Sequence, residues 1–142
     1  MGVYRHILVG VDGSDASAQA AEMAGRLAAD LDAKLTVVFV RQLLAVPVSP
    51  FDVPMDHTSY WEAQERVASS RAADVLEKLG VAWRLEVRTG DPAVQLELGA
   101  DESGADLVVV GALGHSVAHR LLLGSVSTRL LHHARRPVLV VR

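Results

Sequence analysis

The sequence predicts an α/β protein: one domain built on an open, doubly wound sheet of five parallel strands, with helices on both faces. Three features carry that expectation. Continuous apolar runs at HILVGVD (6–12), KLTVVFV (34–40) and DLVVVG (106–111) suit strands covered on both sides. Between the runs, apolar residues recur every three or four positions, the period of a helix face. The two patterns alternate along the chain as β-α-β-α-β-α-β-α-β, which demands parallel pairing through right-handed crossovers. With 142 residues, half of them hydrophobic, the chain is long enough for a single core.

Each element has its own signal. After the first strand and Gly13-Ser14, a helix face is expected at Ala20, Met23, Ala24, Leu27 and Leu31. The second strand leads into residues 41–59, which hold three prolines and no period, and so read as a long loop. A loop of that length is either a binding segment or an insertion without a role. Ala68, Ala72, Val75, Leu76 and Leu79 mark the second helix, closed by Gly80. AWRLEVR (82–88) alternates apolar and charged residues, the pattern of an edge strand with one wet face. Asp91 then caps a helix with Pro92 in its first position, and Gly104 stops it. Ser125 is expected to cap the last helix, whose inner face is Val126, Leu130, Leu131 and Ala134. Pro137 ends that helix, and PVLVVR (137–142) forms the fifth strand.

Composition removes several classes of function. A net charge of −3 provides no general attraction to nucleic acid or to an anionic membrane. The absence of cysteine excludes disulfides and thiolate metal sites, and suits a reducing cytoplasm. No run approaches the ~20 apolar residues of a membrane span. The opening MGVYRHILVGVDGS meets Asp12 too early for a signal peptide, and His6 stands where a myristoylation motif wants Ser or Thr. A cytoplasmic protein without nucleic-acid or membrane partners is the expectation.

In doubly wound sheets ligands bind beyond the carboxyl ends of the strands, so the loops after strands one, two and four matter most. The last of these offers two chemistries. Gly114-His115-Ser116-Val117-Ala118 resembles a hydrolase elbow, but Ala118 replaces the second glycine, and no Asp or Glu follows Asp106 to complete a Ser-acid-His order. A phosphate loop fits better. Gly111 and Gly114 allow positive φ and close backbone approach, while Gly124-Ser125 opens a helix whose first amides are unpaired. From Leu107 onward there are five arginines and no carboxylate. Arg120 lies inside the glycine loop, whereas Arg135, Arg136 and Arg142 read as a solvated basic face. His115 and His119 stand four apart without an accompanying Glu, and solvated or locally bonded histidines suit them better than a metal. Neither a Walker loop nor a dinucleotide fingerprint is present, since the first turn reads GVDGSD and no lysine follows Lys78.

At these residues the sequence resembles the universal stress protein family, over nearly the whole chain. The family's nucleotide-binding branch carries G-x2-G-x9-G-[ST], matched by Gly111, Gly114, Gly124 and Ser125; HILVGVDGSDAS, GDPA and ADLVVVG agree with its other landmarks. The resemblance implies strand order 3-2-1-4-5, ATP binding and a homodimer. It also implies a binding set of Val11, Asp12, Val40, Gly111, Gly114, His115, Gly124, Ser125, Val126 and Ser127. Asp12 would contact the ribose and the magnesium that accompanies ATP, the Val40 backbone would meet adenine, and Ser125, Val126 and Ser127 would hold phosphates through amides and hydroxyls. By its own chemistry Asp12 is also a turn former, and Ser125 an N-cap.

One departure bears on affinity. Ala112-Leu113 stand where ATP-binding members often carry Ser and a basic residue. Each lost charge-assisted contact is worth ~1.5–3 kcal/mol, so affinity would fall by roughly one or two orders of magnitude, with the backbone donors still available. The sequence therefore points to a cytoplasmic ATP-binding stress-response regulator or sensor, with ADP or AMP as other occupants and hydrolysis slow at most. The alternatives are an interaction module without nucleotide affinity and a true ATPase or phosphotransferase. Strand 137–142, apolar on both faces at a sheet edge, is expected to pair with its two-fold copy.

Overall fold

A computed structural model describes residues 3–42, 57–112 and 123–142. The elements run β1 (His6–Val11), α1 (Asp15–Leu31), β2 (Lys34–Arg41), α2 (His57–Leu79), β3 (Arg84–Thr89), α3 (Pro92–Ser103), β4 (Leu107–Gly111), α4 (Ser125–His133) and β5 (Val138–Val141). They build one five-stranded sheet in the order β3-β2-β1-β4-β5, parallel throughout. That is the predicted fold.

Successive strand residues face opposite sides, which divides the core into two layers. Ile7, Val9 and Val11 join Leu35, Val37, Phe39, Leu107 and Val109 beneath α1 and α2. Leu8, Val38, Val108 and Val110 lie on the other face with Ala93, Leu96 and Ala100 of α3 and Leu130 of α4. Continuous apolar runs are thus explained by two covered faces. Among the described residues, no helix is long and apolar enough to cross a membrane.

Several local expectations hold. The Asp91 carboxylate accepts the Val94 amide at 3.1 Å as the cap of α3, and Gly104 ends that helix at φ 73°. Others shift. Arg41 belongs to β2 and α2 already begins at His57, so the loop is shorter than 41–59, and residues 43–56 lie outside the described ones. The third strand starts at Arg84, not Ala82. Met23 is 40% exposed, because α1 buries a small-residue stripe of Ser17, Ala20, Ala21, Ala24, Gly25 and Ala28. A Cβ on Gly25 would come within 2.5 Å of Leu76 Cδ2, so the close approach of α1 and α2 needs small residues there. Leu131 is 51% exposed, and Ser127 and Leu130 take the inner face of α4. Ala134 follows that helix as its C-cap residue.

Of the arginines read as a solvated face, Arg135 and Arg142 are exposed, but Arg136 is not. Arg129 pairs with Asp91 and Arg136 with Asp101, both on the α3 side, and the Arg136 side chain is only 15% exposed. Carboxylates of α3 answer the positive charge that the final third of the chain leaves unbalanced.

Candidate functional site

The crossovers diverge between β1 and β4. Helices α1 and α2 cover one face, α3 and α4 the other, so these neighbouring strands send their chains in opposite directions. Their ladder runs from Ile7↔Leu107 to Val9↔Val109, and the strands part before reaching their ends at Val11 and Gly111. A crevice at the carboxyl end of the sheet follows from this topology.

Its first wall is the β1–α1 turn. Val11 is buried under α1, and Asp12 follows it, half-buried. Asp12 Oδ1 accepts the Ser14 amide at 2.9 Å, while the Asp12 amide donates to Ser17 Oγ at 3.2 Å. Gly13 sits between at φ 86°, a conformation that disfavours a side chain. Ser14 caps α1 by accepting the Ser17 amide at 3.1 Å. From α2, Arg71 Nη1 donates to the Gly13 carbonyl at 2.6 Å, and Nη2 pairs with Asp15 at 2.5 Å. Asp12 therefore does form the turn, its carboxylate engaged by the Ser14 amide.

The second wall is the end of β4 with the start of α4. Gly111 is not at positive φ; of the two roles expected of it, close backbone approach is the one observed, and the neighbour is protein. A Cβ there would lie 2.7 Å from both the carbonyl carbon and oxygen of Ala16 in the first turn of α1. Ala112 donates its amide to the Val141 carbonyl at 2.8 Å and accepts the Gly124 amide at 2.5 Å. Its backbone donor is thus not available to a ligand, which corrects the expectation that all donors there remain free. The Ser127 hydroxyl, 1% exposed, donates to the Gly111 carbonyl at 2.7 Å. Two hydrogen bonds hold the start of α4 to the tip of β4.

Gly124, not Ser125, is the N-cap of α4, with φ −63° and ψ 163°, and no side chain caps the helix. The first-turn amides of Ser125, Val126 and Ser127 have no intrahelical acceptor, and the helix dipole adds partial positive charge there. Such a start favours an anion. Gly114, His115, His119 and Arg120 lie outside the described residues.

Val40 stands at the end of β2 on the α3–α4 face, packed against that core layer. The ladder pair Val11↔Phe39 puts Val40 level with Asp12 at the carboxyl end of the sheet. Beside it, the Gly90 amide donates to the Arg41 carbonyl at 2.8 Å and sets the entrance to α3. Partial burial works to raise the Asp91 carboxyl, but the Val94 amide and the Arg129 guanidinium outweigh it and hold it below the ordinary aspartate value. Farther out, the Glu102 hydrogen bond leads the effects that raise Arg88, with burial opposing and Glu86 assisting.

The structure therefore gathers Val11, Asp12, Val40, Gly111, Gly124, Ser125, Val126 and Ser127 at one end of the sheet. Sequence reasoning missed Arg71, Ala16 and Ser17. Arg71 acts on the turn from 58 positions away, and nothing local to it signals that contact. Among the described residues no group of three or more His, Cys, Asp or Glu side chains is placed to hold a metal. The Asp12 carboxylate, which accepts the Ser14 amide, would suit a magnesium ion that arrives already held by phosphate and water oxygens, rather than a resident ion.

Fold and site together define an open α/β domain with an uncapped helix start at its switch point. The chain belongs to the Universal stress protein family, whose sequence model matches residues 3–142. It is 34% identical to a universal stress protein of Methanocaldococcus jannaschii, over 99% of this chain and 83% of that relative. The solved universal stress protein UspA from Lactobacillus plantarum aligns with a TM-score of 0.81 and 28% identity, covering 98% of each chain. A universal stress protein crystallised in complex with cAMP aligns with a TM-score of 0.76 and 32% identity, covering 99% of each.

Proposed function

We propose that this chain binds an adenine nucleotide in the β1–β4 crevice and acts as a cytoplasmic stress-response regulator or sensor. ATP with magnesium is the leading ligand, with ADP and AMP as other occupants. The observation that carries the reading is the uncapped start of α4, fastened to β4 through Ala112–Gly124 and Gly111–Ser127, at the same end of the sheet as Asp12. The similar protein solved with cAMP supports a nucleotide as the class of ligand.

In this reading Val11 and Asp12 bind the ribose side, Val40 meets adenine, and Gly111, Gly114, His115, Gly124, Ser125, Val126 and Ser127 surround the phosphates. Ser127 contributes its amide, since its hydroxyl holds Gly111. Magnesium bound with the nucleotide would neutralise phosphate charge, and Asp12 is the carboxylate that would face it. Among the described residues of the site no base is placed to activate water, so a regulatory role suits them better than rapid hydrolysis. The free edge of β5, Val138–Val141, would pair with a second copy to form a homodimer.

The second reading is an interaction module that keeps the scaffold without the ligand. Ala112 favours it, being buried with its amide and carbonyl both engaged. Calorimetric titration with MgATP, ADP and AMP separates the two. Saturable binding at or below millimolar concentration is expected; a flat trace with all three at millimolar nucleotide favours the module and overturns the nucleotide reading.

A further inference from the structure

Arg71 lies on α2, remote in sequence from both walls of the crevice, yet it grips the turn that carries Asp12. The contact is to one peptide unit. The Gly13 carbonyl accepts Arg71 Nη1 at 2.6 Å, and the amide of that same peptide, Ser14 N–H, donates to Asp12 Oδ1 at 2.9 Å. In a trans peptide the carbonyl and the N–H point in opposite directions. Pulling the carbonyl toward α2 therefore turns the amide toward the Asp12 carboxylate. Gly13 is buried at φ 86°, so its carbonyl has little water to fall back on. A Cβ on Gly13 would stand 3.4 Å from Val67 Cγ1, in ordinary contact with α2, so the turn lies directly beside the helix that carries Arg71.

We infer that Arg71 is a positioning residue for nucleotide binding: by holding the Gly13–Ser14 peptide it aims the Asp12 carboxylate at the ribose hydroxyls. The inference rests on the nucleotide reading above, and adds to it a residue that touches no ligand. Arg71 does this with a fork, one nitrogen on the Gly13 carbonyl and the other on Asp15. A lysine in its place can satisfy only one of these at a time.

The test compares AMP with 2′,3′-dideoxy-AMP by calorimetric titration of the wild-type chain, Arg71→Met and Arg71→Lys, with thermal unfolding to confirm that each variant is folded. Hydrogen bonds to a charged carboxylate predict that wild type prefers AMP by roughly tenfold or more. Arg71→Met should lose most of that preference by weakening AMP alone, leaving the dideoxy compound unchanged, and Arg71→Lys should recover part of it. A merely structural role would weaken both ligands equally, and that result overturns the inference. So does a preference that survives intact in Arg71→Met, or a wild type that binds AMP without any preference. A wild type that binds neither compound overturns the nucleotide reading and takes ribose recognition with it. Ser14 amide hydrogen exchange judges the positioning separately, without ligand. Exchange should quicken in Arg71→Met, and an unchanged rate overturns the claim that Arg71 orients this peptide.

Discussion

Replacing Gly111 by alanine adds one methyl group at the point where β4 meets the first turn of α1. The new Cβ would stand 2.7 Å from the carbonyl carbon and oxygen of Ala16 and 3.0 Å from its Cβ. Comfortable carbon contacts lie at about 3.5–4.0 Å, so a displacement of roughly 0.8 Å is required. What must move is backbone, in a turn already tied by Ser14, Ser17 and Asp12. Overpacking of this kind costs about 1–3 kcal/mol, and the rigidity of the obstacle places Gly111→Ala toward 2–3. For a chain of this size that corresponds to a fall in Tm of roughly 5–12 °C. Gly10→Ala is the matched control: its Cβ would meet only the tips of Leu96, at 2.9 and 3.1 Å, which rotate aside at about 1 kcal/mol or less. Scanning calorimetry of both variants decides the matter. A Gly111→Ala chain that melts within a degree of wild type, or above Gly10→Ala, would refute the packing argument.

Two further outcomes follow from the helix starts. Asp91→Asn keeps a capping side chain on α3 but removes the charge opposite Arg129, both half-exposed, so about 0.2–1 kcal/mol of stability should be lost at pH 7. Because the folded-state Asp91 carboxyl is held below its unfolded value, that contribution is present above about pH 4 and vanishes as pH falls through the folded value; urea unfolding should show the gap between the two chains narrowing as pH falls below about 4, and a gap that does not narrow in acid would contradict it. Gly124→Ser supplies α4 with the cap it lacks, on a backbone whose φ of −63° suits serine. Stability should rise by a few tenths of a kcal/mol while nucleotide affinity falls, since the hydroxyl would take an amide that the proposed site offers to phosphate. Affinity that holds or improves would argue against the helix start as the anion site.

The parts of the site that the sequence exposes are those whose cause is local. Asp91-Pro92 and Gly104 bracket α3 because capping and left-handed closure depend on residues within one turn. The glycine spacing singled out Gly111 for positive φ or close backbone approach, and it is the close approach that the structure shows, against protein. That demand comes from Ala16, a residue 95 positions earlier, and no periodicity encodes that meeting. Met23 and Leu131 fit a helical stripe yet lie at the surface, because the buried face of a helix is chosen by what packs on it. Ser127 carries no hydrophobic signal and is nevertheless among the most buried residues of α4.

By itself the sequence determined the kind and order of the elements, and with them the wrapping of helices on both faces of a parallel sheet. Apolar period, caps and proline breaks act over a few residues, and chirality restricts how such units can connect. Only the tertiary structure decided which hydrogen-bonding groups at that end of the sheet are already engaged within the protein. The Ala112 amide belongs to Val141, the Ser127 hydroxyl to Gly111 and the Gly13 carbonyl to Arg71. A hydrogen-bonding group is available or taken according to what the fold brings within about 3 Å of it, and that proximity is set by the packing of whole elements, which short-range pattern does not contain.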